Sequence, residues 1–575
     1  MLDLKITGGT IVDGTGAPRY VGDVGIKDGR IAAIGVVDDP ARETIDAKGE
    51  IVAPGFVDIH THYDVQVFWD PTLSPSSYHG VTTIIGGYCG FSVAPITPES
   101  GRYLMRMLSR VEGMPLESLE AAANWNWSSF ADYLGRFDGK LAINAGFLVG
   151  HSAIRRYVMG EDANKREATR AELERMKALI RESIRGGALG FSTSLAASHN
   201  DLNGHPVPSR FASREEVMEL YSVVSEFEGT TAEIVPCVEF ADDTYQLMTD
   251  ISLAAQRPVN WNAVGIASAS PDEIESVEMK LGATDYARER GAEVIALTVP
   301  VSGSVRINLV SGFIFDFLEG WAPFFRLPVA ERIAALRDPA YRERLKTQAL
   351  STEGRIQNMS RWDRLKVMEV FSEPNQRYRG RLIRDVATEE GRDPFDVFVD
   401  IVLADELKTS FSPVYPEETA EIYRARAKLW NDSRAVVGAS DAGAHLDMID
   451  SFSLSTGLIQ SAVRKFNVAS IEEVVHQLTQ RPAQLVGLRD RGMLKAGAYA
   501  DIVIFDADRI GRSASYTRAD MPAGGARLYA DAQGIHRVIV NGREVIRDNQ
   551  YLGVPAGAII RPGVGTYTVN IPGAR

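Results

Sequence analysis

The chain is most informative at residues 51–62, where it reads IVAPGFVDIHTH. The beginning of this stretch is apolar enough for a buried strand, and the strand runs into His60 and His62. Side chains two residues apart in a strand point to the same face, so both imidazoles can reach one cation. We therefore expect a buried strand that ends in a pair of metal ligands.

The composition is that of a globular protein with a large core. Apolar residues make up 45% and charged residues 24% of the 575 residues. Because the formal net charge is −14 and no basic patch is evident, neither nucleic acid nor a membrane surface is an expected partner. The N-terminus lacks signal-peptide features, and two cysteines give no disulfide framework. We expect a cytoplasmic protein, and a homo-oligomer is compatible with these features.

Short strands with turn signals mark both ends of the chain. The stretches with alternating or apolar patterns are 4–7, 23–26, 30–34, 500–505 and 538–543. Gly8-Gly9 and Asp28-Gly29 supply turns between them. Two β-rich ends around a different middle predict a small β-sandwich domain built from residues 1–50 plus 488–575.

Apolar runs alternate with helical patterns in the middle of the chain. The candidate strands are 51–60, 80–89, 141–150, 187–194, 230–238, 257–264, 293–300 and 434–441. Strands that alternate with helices form parallel sheets, and eight of them predict an α/β fold, a (β/α)8 TIM barrel, over residues 51–487. Residues 300–430 are too long for one loop, and we expect them to form an inserted lid or pocket wall.

Active sites of such barrels lie at the C-terminal ends of the strands. Strand one ends in His60 and His62, strand two in Cys89, and strand eight in Asp441. Two imidazoles, a thiolate and a carboxylate form a ligand set that suits zinc. Asp441 could also take a proton from water as general base and return it to a leaving nitrogen as general acid.

Several motifs resemble those of the amidohydrolase superfamily. Residues 52–62 look like its first metal motif, and GGYCGFSVAP at residues 86–95 resembles a narrower group, the N-acyl-D-amino-acid deacylases or D-aminoacylases. The remaining similar segments are residues 150–155, 187–193 and 440–445, at the ends of strands three, four and eight. The resemblance implies a metal-dependent hydrolase of linear, non-peptide amides, with Cys89 as a metal ligand and Asp441 as the catalytic aspartate.

The chain departs from the family pattern at strands five and six. The family has one histidine at the end of each, whereas residues 230–235 and 259–264 contain none. In the family those two histidines and the cysteine form the tightly held zinc site, so the resemblance implies that only the other site survives. Its residues are His60, His62, Cys89 and Asp441. We expect one zinc ion, and the sequence leaves a second, weaker site open.

Other polar residues at strand ends are candidates for substrate binding. They are His151, Glu233, Asn260, Asn262 and His445. A structural, hydrogen-bonded histidine explains His151 almost as well, and Glu233 could instead replace a lost metal-binding histidine or pair with an arginine. The acidic segment from His445 to Asp450 would repel a substrate carboxylate. A neutral, cationic or cyclic amide therefore suits the sequence at least as well as a simple N-acyl-D-amino acid.

Two other functions fit the same residues. The metal site could act on an ester, a lactone, a cyclic amide or a carbon–carbon bond. A superfamily member that has lost ligands could instead serve as a non-catalytic scaffold, although a scaffold needs none of the four ligands. We assign no role to His199, and we expect Cys237 in the core.

Overall fold

A computed structural model describes the chain except for residues 238–239, 241, 302–304, 313, 316–317, 352–359, 415–416 and 575. Its strands are β1 (Leu2–Ile11), β2 (Tyr20–Lys27), β3 (Arg30–Gly35), β4 (Ala41–Asp46), β5 (Ile51–Pro54), β6 (Phe56–Asp58), β7 (Val81–Gly86), β8 (Asn144–Phe147), β9 (Val149–Gly150), β10 (Gly190–Ser194), β11 (Thr231–Val235), β12 (Val259–Val264), β13 (Val294–Thr298), β14 (Leu365–Glu369), β15 (Ser410–Pro413), β16 (Ala435–Val437), β17 (Ile502–Phe505), β18 (Gly511–Arg512), β19 (Tyr516–Arg518), β20 (Arg527–Tyr529), β21 (Ala532–Gln533), β22 (Ile535–Val540), β23 (Arg543–Arg547) and β24 (Gln550–Tyr551).

The α-helices lie mainly between the strands in the middle of the chain. They are α1 (Pro98–Val111), α2 (Leu116–Ala122), α3 (Phe130–Gly135), α4 (His151–Met159), α5 (Arg170–Arg185), α6 (Arg214–Ser222), α7 (Asp242–Ala255), α8 (Pro271–Arg288), α9 (Ala322–Phe325), α10 (Val329–Arg337), α11 (Pro339–Ser351), α12 (Ile383–Glu390), α13 (Pro394–Ala404), α14 (Ala420–Trp430), α15 (Leu454–Leu458), α16 (Ile471–Leu478) and α17 (Gln480–Leu485). Helix α5 illustrates their construction. Thr169 and Glu172 form a capping box at its start, and Met176, Ile180 and Ile184 bury one face at helical spacing.

Both ends of the chain contribute to one nine-stranded sheet. Its hydrogen-bonded order is β24-β23-β22-β17-β5-β1-β2-β3, and β4 pairs with β1. The prediction of one barrel strand over residues 51–60 is therefore wrong in part, because β5 pairs with β17 in the terminal sheet and only β6 joins the parallel strands. The chain passes between the two at Gly55, where a Cβ would lie 2.1 Å from Oγ1 of Thr82.

Each of the eight predicted parallel strands overlaps an observed one, and the strands form two hydrogen-bonded groups. One group is β6-β7-β8, and the other is β9-β10-β11-β12-β13-β16. β8 and β9 belong to one chain stretch that is interrupted at Leu148, whose N–H donates to the carbonyl of Gly86 at 2.9 Å. The chain just after β6 meets the chain just after β16, since the N–H of His62 donates to the carbonyl of Ala442 at 2.7 Å.

The long segment between β13 and β16 has a hydrophobic core of its own. This core extends from Ile307 to Phe411 and is separate from the core around the parallel strands. The rings of Trp321 and Trp362 stack within it with centroids 5.3 Å apart. Helix α14 returns to the main core through Tyr423. The insertion therefore folds around its own aromatic residues rather than lying over the surface as a loop.

A buried polar network joins the terminal sheet to the parallel strands. The carboxylate of Asp501 forms an ion pair with Arg491 and accepts hydrogen bonds from Nδ2 of Asn144 at 3.1 Å and from the N–H of Asn541 at 2.8 Å. Asn144 lies on β8, so the network ties the two regions at the base of the third parallel strand. Across the described residues, no helix has both the length and the apolar character that a membrane crossing requires.

Candidate metal centre

His60 and His62 lie just beyond β6, at the carboxyl ends of the parallel strands, and both are buried. Their Nε2 atoms lie 3.4 and 3.7 Å from Sγ of Cys89. The three donor atoms all lie within 4.8 Å of one another. The structure thus brings together two residues from the end of β6 and one that follows β7.

Glycine-rich backbone explains how Cys89 reaches this position. Cys89 itself has a φ of 57°, and its N–H donates to Oε2 of Glu233 at 3.0 Å. Two residues earlier, a Cβ on Gly87 would lie 2.2 Å from the carbonyl oxygen of Leu148. Only glycine permits that close approach together with the positive φ of 76° at Gly87. The flanking glycines therefore let the loop turn sharply and present the sulfur to the imidazoles.

Asp441 completes the group from the chain that follows β16. Its Oδ1 lies 3.0 Å from Nε2 of His62 and 3.6 Å from Nε2 of His60. Its N–H donates to the carbonyl of His60 at 3.1 Å, and its φ is 56°. The backbone bond fixes the carboxylate beside the two imidazoles, while the positive φ turns the chain towards them.

The charges around this group fit a divalent cation. Burial raises the pKa of the Cys89 thiol well above its usual value, and Glu233, Asp441, Glu112 and Asp64 raise it further. In the described part of the chain, no arginine or lysine forms an ion pair with Asp441 or Glu112. A bound metal ion would offset this negative charge and hold the thiol as thiolate. The donor set is therefore one that a metal ion would stabilise.

The two histidines differ in their surroundings. Burial lowers the pKa of His60 to about 3, so that imidazole is neutral, as a metal ligand must be. Burial also opposes protonation of His62, but Glu112 and Asp441 raise its pKa to about 10. His62 thus stands between two carboxylates when no metal occupies the donor set. A metal ion bound there would take the place of the proton on His62.

Glu112 is a neighbour that the sequence analysis did not single out. Its Oε1 lies 3.4 Å from Nδ1 of His62, and its carbonyl accepts from the N–H of His445 at 2.5 Å. Glu112 directly follows α1 and is buried. A carboxylate at the second ring nitrogen fixes the tautomer and orientation of a metal-binding histidine. No local pattern marks this residue, because only the packing of α1 brings it to the site.

His199 also lies nearer the site than the sequence indicated. Its Nδ1 is 2.6 Å from Oγ of Ser194, at the end of β10, and its ring packs against Phe91 with centroids 5.0 Å apart. Burial lowers its pKa to about 3, and the neighbouring His445 lowers it further. A signal was present, because His199 belongs to the loop that follows the fourth parallel strand.

His151 has no ring nitrogen left for a substrate. Nδ1 lies 2.8 Å from Oγ1 of Thr193, and Nε2 lies 2.9 Å from Oε1 of Glu216. Arg155 also forms a buried ion pair with Glu216. This geometry favours the alternative of a structural histidine, and a substrate contact at His151 stays a prediction.

Glu233 lies on β11, and Asn260 and Asn262 lie on the neighbouring strand β12. Asn262 is less buried than the other two. Glu233 and Asn260 are fully buried, and Nδ2 of Asn260 donates to the carbonyl of Ala232 at 3.0 Å. Oε1 of Glu233 and Oδ1 of Asn260 have no hydrogen-bond partner among the described residues. Among the described residues, Glu233 forms no ion pair with an arginine, contrary to one of the alternatives. It instead accepts a hydrogen bond from the backbone of Cys89.

The loop after Asp441 is less repulsive than its sequence indicates. His445 places Nε2 3.8 Å from Oδ2 of Asp441. Asp447 accepts hydrogen bonds from Asn308 at 2.7 Å and Ser311 at 2.5 Å. Asp450 forms a buried ion pair with Arg512 at 2.5 Å. Both acidic residues of the loop therefore have partners within the protein, which reduces the negative field that a substrate would meet.

Comparisons with known proteins agree with this architecture. A model of the amidohydrolase family matches residues 43–546. The D-aminoacylase of Alcaligenes xylosoxydans xylosoxydans is 26% identical, covering 97% of each chain, and the N-acyl-D-glutamate deacylase of the same organism is 27% identical, covering 94% of this chain and 93% of that one.

Two solved structures share the fold. A D-aminoacylase superposes with a TM-score of 0.64 at 24% identity, covering 98% of this chain and 100% of that chain. The N-acyl-D-glutamate deacylase from Bordetella bronchiseptica, solved with zinc and a phosphonate inhibitor, superposes with a TM-score of 0.62 at 25% identity, covering 97% and 99%. Because the family model spans most of the sequence, this chain belongs to the amidohydrolase family.

Proposed function

We propose that this protein is a zinc-dependent hydrolase that cleaves a linear, non-peptide amide, in the manner of an N-acyl-amino-acid deacylase. The observation that carries the proposal is the convergence of His60, His62 and Cys89 beside the carboxylate of Asp441. The deacylases among the relatives supply the substrate class, an N-acylated amino acid or a close analogue.

The proposed ligands of a single zinc ion are His60, His62, Cys89 and Asp441. Zinc bound there would polarise the amide carbonyl and lower the pKa of a water molecule to about 7. One ion is proposed because the ends of β11 and β12 carry Glu233 and Asn260 instead of histidine. Glu233 is occupied with the N–H of Cys89 through one of its oxygens, which favours a supporting role over a place in a second tight site.

Asp441 is proposed to move the proton in both halves of the reaction. Its carboxylate would take a proton from the attacking water and give it to the amide nitrogen, which leaves readily only when protonated. The neighbouring His62, at 3.0 Å, and His445, at 3.8 Å, hold the pKa of Asp441 below its usual range although burial alone would raise it. Asp441 is therefore ionised, as a proton acceptor must be.

Two neighbours would position this machinery. Glu112 would orient His62 through Nδ1, at 3.4 Å. His445, on the loop after β16, lies 3.8 Å from Asp441, and His199, on the loop after β10, is close enough for His445 and Asp441 to shift its pKa. Both are proposed to contact the substrate. Both residues lie on loops that follow parallel strands, and barrel enzymes carry their substrate contacts on such loops.

We also propose that the parallel strands close into a (β/α)8 barrel over residues 51–487 and that residues 1–50 plus 488–575 form a small β-sandwich. Closure is supported by the backbone bonds between His60 and Asp441 and between His62 and Ala442. The second domain is supported by a separate core to which Ile6, Val24 and Ile504 all contribute.

The two cysteines offer a matched test of the metal site. Protein produced with zinc is expected to hold one equivalent and to hydrolyse N-acetyl-amino-acid amides or their free acids. Cys89→Ser should lose most of the bound zinc, whereas Cys237→Ser, a change of the same kind outside the site, should retain it. Zinc content would be measured by mass spectrometry after dialysis. Two zinc ions retained per protein molecule would contradict a single site. If Cys89→Ser retained all of its zinc, Cys89 would not be a ligand.

A further inference from the structure

A large cavity opens next to the metal centre. Its volume is about 660 Å³, and it lies between the loop after α1, the insertion, the loop after β16 and the β19–β20 hairpin. The residues that line it include Gly113, Val310, Val329, Phe371, Asp447 and Leu528. Volumes of this size are typical of sites for small molecules.

The cavity borders the loop that follows Asp441. A Cβ on Gly113 would lie 3.4 Å from Cα of His445 and 3.4 Å from Oδ1 of Asp447. Leu528 lines both the cavity and a smaller space beside Asp441, and its N–H donates to the carbonyl of Leu446 at 2.6 Å. The cavity and the space beside Asp441 therefore share a wall at Leu528.

Three exposed apolar side chains line this cavity. Phe371 is 53% exposed, Val310 is 40% exposed and Val329 is 37% exposed. All three belong to the insertion, and they face one space rather than being scattered over the surface. Contiguous exposed apolar surface marks a binding site, because leaving it in water costs free energy that a ligand can recover.

Several charged side chains around the cavity are engaged within the protein. Arg306 forms an ion pair with Glu369 at 2.5 Å. Arg332 donates to the carbonyls of Leu309 and Val310 at 2.8 and 2.7 Å. These bonds hold Arg306, Glu369 and Arg332 in the walls of the cavity.

We propose that this cavity binds a bulky, uncharged apolar group that is attached to the scissile amide. The inference rests on the proposed function, because it makes that group part of the substrate. The group is either an acyl chain or the apolar part of the amine, and both would bury the same surface. The insertion and the β19–β20 hairpin would then select the substrate, while the ends of the parallel strands carry out the chemistry.

Two matched substrate series test the proposal and separate the two sources. One series lengthens the acyl group of a single amino-acid amide from acetyl to octanoyl, and the other keeps acetyl and lengthens an alkyl amine. We expect kcat/KM to rise about threefold per added methylene along one series until the cavity is filled. A flat response in both series would overturn the proposal.

Cavity-filling variants test the location. Val310→Trp and Val329→Trp should lower the octanoyl-to-acetyl ratio of kcat/KM by about tenfold, which corresponds to the loss of roughly two buried methylenes. Val36→Trp is the matched control, since Val36 is 88% exposed and follows β3 in the terminal sheet. A ratio that is the same in all three variants would place the apolar group elsewhere.

A binding measurement separates this proposal from the proposed function. Calorimetric titration of the same amides into the Asp441→Asn protein should give affinities that rise with chain length. If no amide is hydrolysed by the wild type but the affinities rise, the proposed function fails and the cavity assignment stands. If amides are hydrolysed and neither rate nor affinity depends on length, the cavity assignment fails and the hydrolase stands. If neither hydrolysis nor binding is seen, both are overturned.

Discussion

Two groups of histidine and carboxylate follow the parallel strands, and they differ in what balances their charge. Glu216 lies 2.9 Å from Nε2 of His151 and forms an ion pair with Arg155. Asp441 lies 3.0 Å from Nε2 of His62 and, among the described residues, pairs only with imidazoles. Arg155 neutralises the carboxylate of the first group. Among the described residues, the carboxylate of the second group has no arginine or lysine partner.

This difference separates a structural cluster from a candidate active site. A buried carboxylate that is paired with an arginine needs nothing from outside the protein. A buried cluster of acidic groups and imidazoles without such a cation has perturbed pKa values and room for a metal ion, which are features of functional sites. Sequence position alone does not distinguish the two, since His151 and Asp441 both stand at the end of a predicted strand.

The largest effect is expected for Asp441→Asn. The amide keeps the shape of the side chain but cannot accept the proton, so kcat/KM should fall by about 10²–10⁴-fold. Asp285→Asn is the control, because Asp285 is 55% exposed and forms a surface ion pair with Arg434. Steady-state kinetics with zinc-loaded proteins would measure both. If Asp441→Asn kept a third of the wild-type rate, Asp441 would not be the general base. The difference between the two groups would then not identify an active site.

A smaller effect is expected for Glu112→Gln. The carboxylate at Nδ1 of His62 orients that ring without touching the proposed zinc ion, so its loss should weaken zinc binding by about 10–100-fold. Competition with a chelator of known affinity would measure the change. Glu99→Gln is the matched control on the same helix, where Glu99 is 74% exposed. Equal zinc affinity in both variants would show that His62 is positioned by other groups.

Much of the candidate site could be predicted because its parts are local in sequence. His60 and His62 follow an apolar strand, and Cys89 follows another with glycines on both sides. Strand ends that belong to parallel neighbours meet at one face, so the order of the motifs was enough to group them. The same reasoning would have found His199, which follows β10 by a few residues.

The remaining features depend on packing between distant segments. Residues 51–54 join the terminal sheet because their partner is β17, about 450 positions further along the chain. Glu112 reaches His62 only through the docking of α1, and the cavity walls come from segments with no shared pattern. The hydrogen bond of His151 to Glu216 could not be predicted, because Glu216 lies on α6, outside the predicted strand ends.

The smallest effect on activity is expected for His151→Asn. Asparagine cannot reach both Thr193 and Glu216, so the protein should lose about 1–3 kcal/mol of stability and unfold at a lower temperature. Because His151 offers no free ring nitrogen to a substrate, kcat/KM of the folded protein should change by less than about threefold. His205→Asn serves as control, since His205 is 64% exposed. The opposite result, a large loss of kcat/KM with an unchanged unfolding temperature, would mean that His151 acts on the substrate, and an arginine-neutralised cluster would then no longer indicate a structural role.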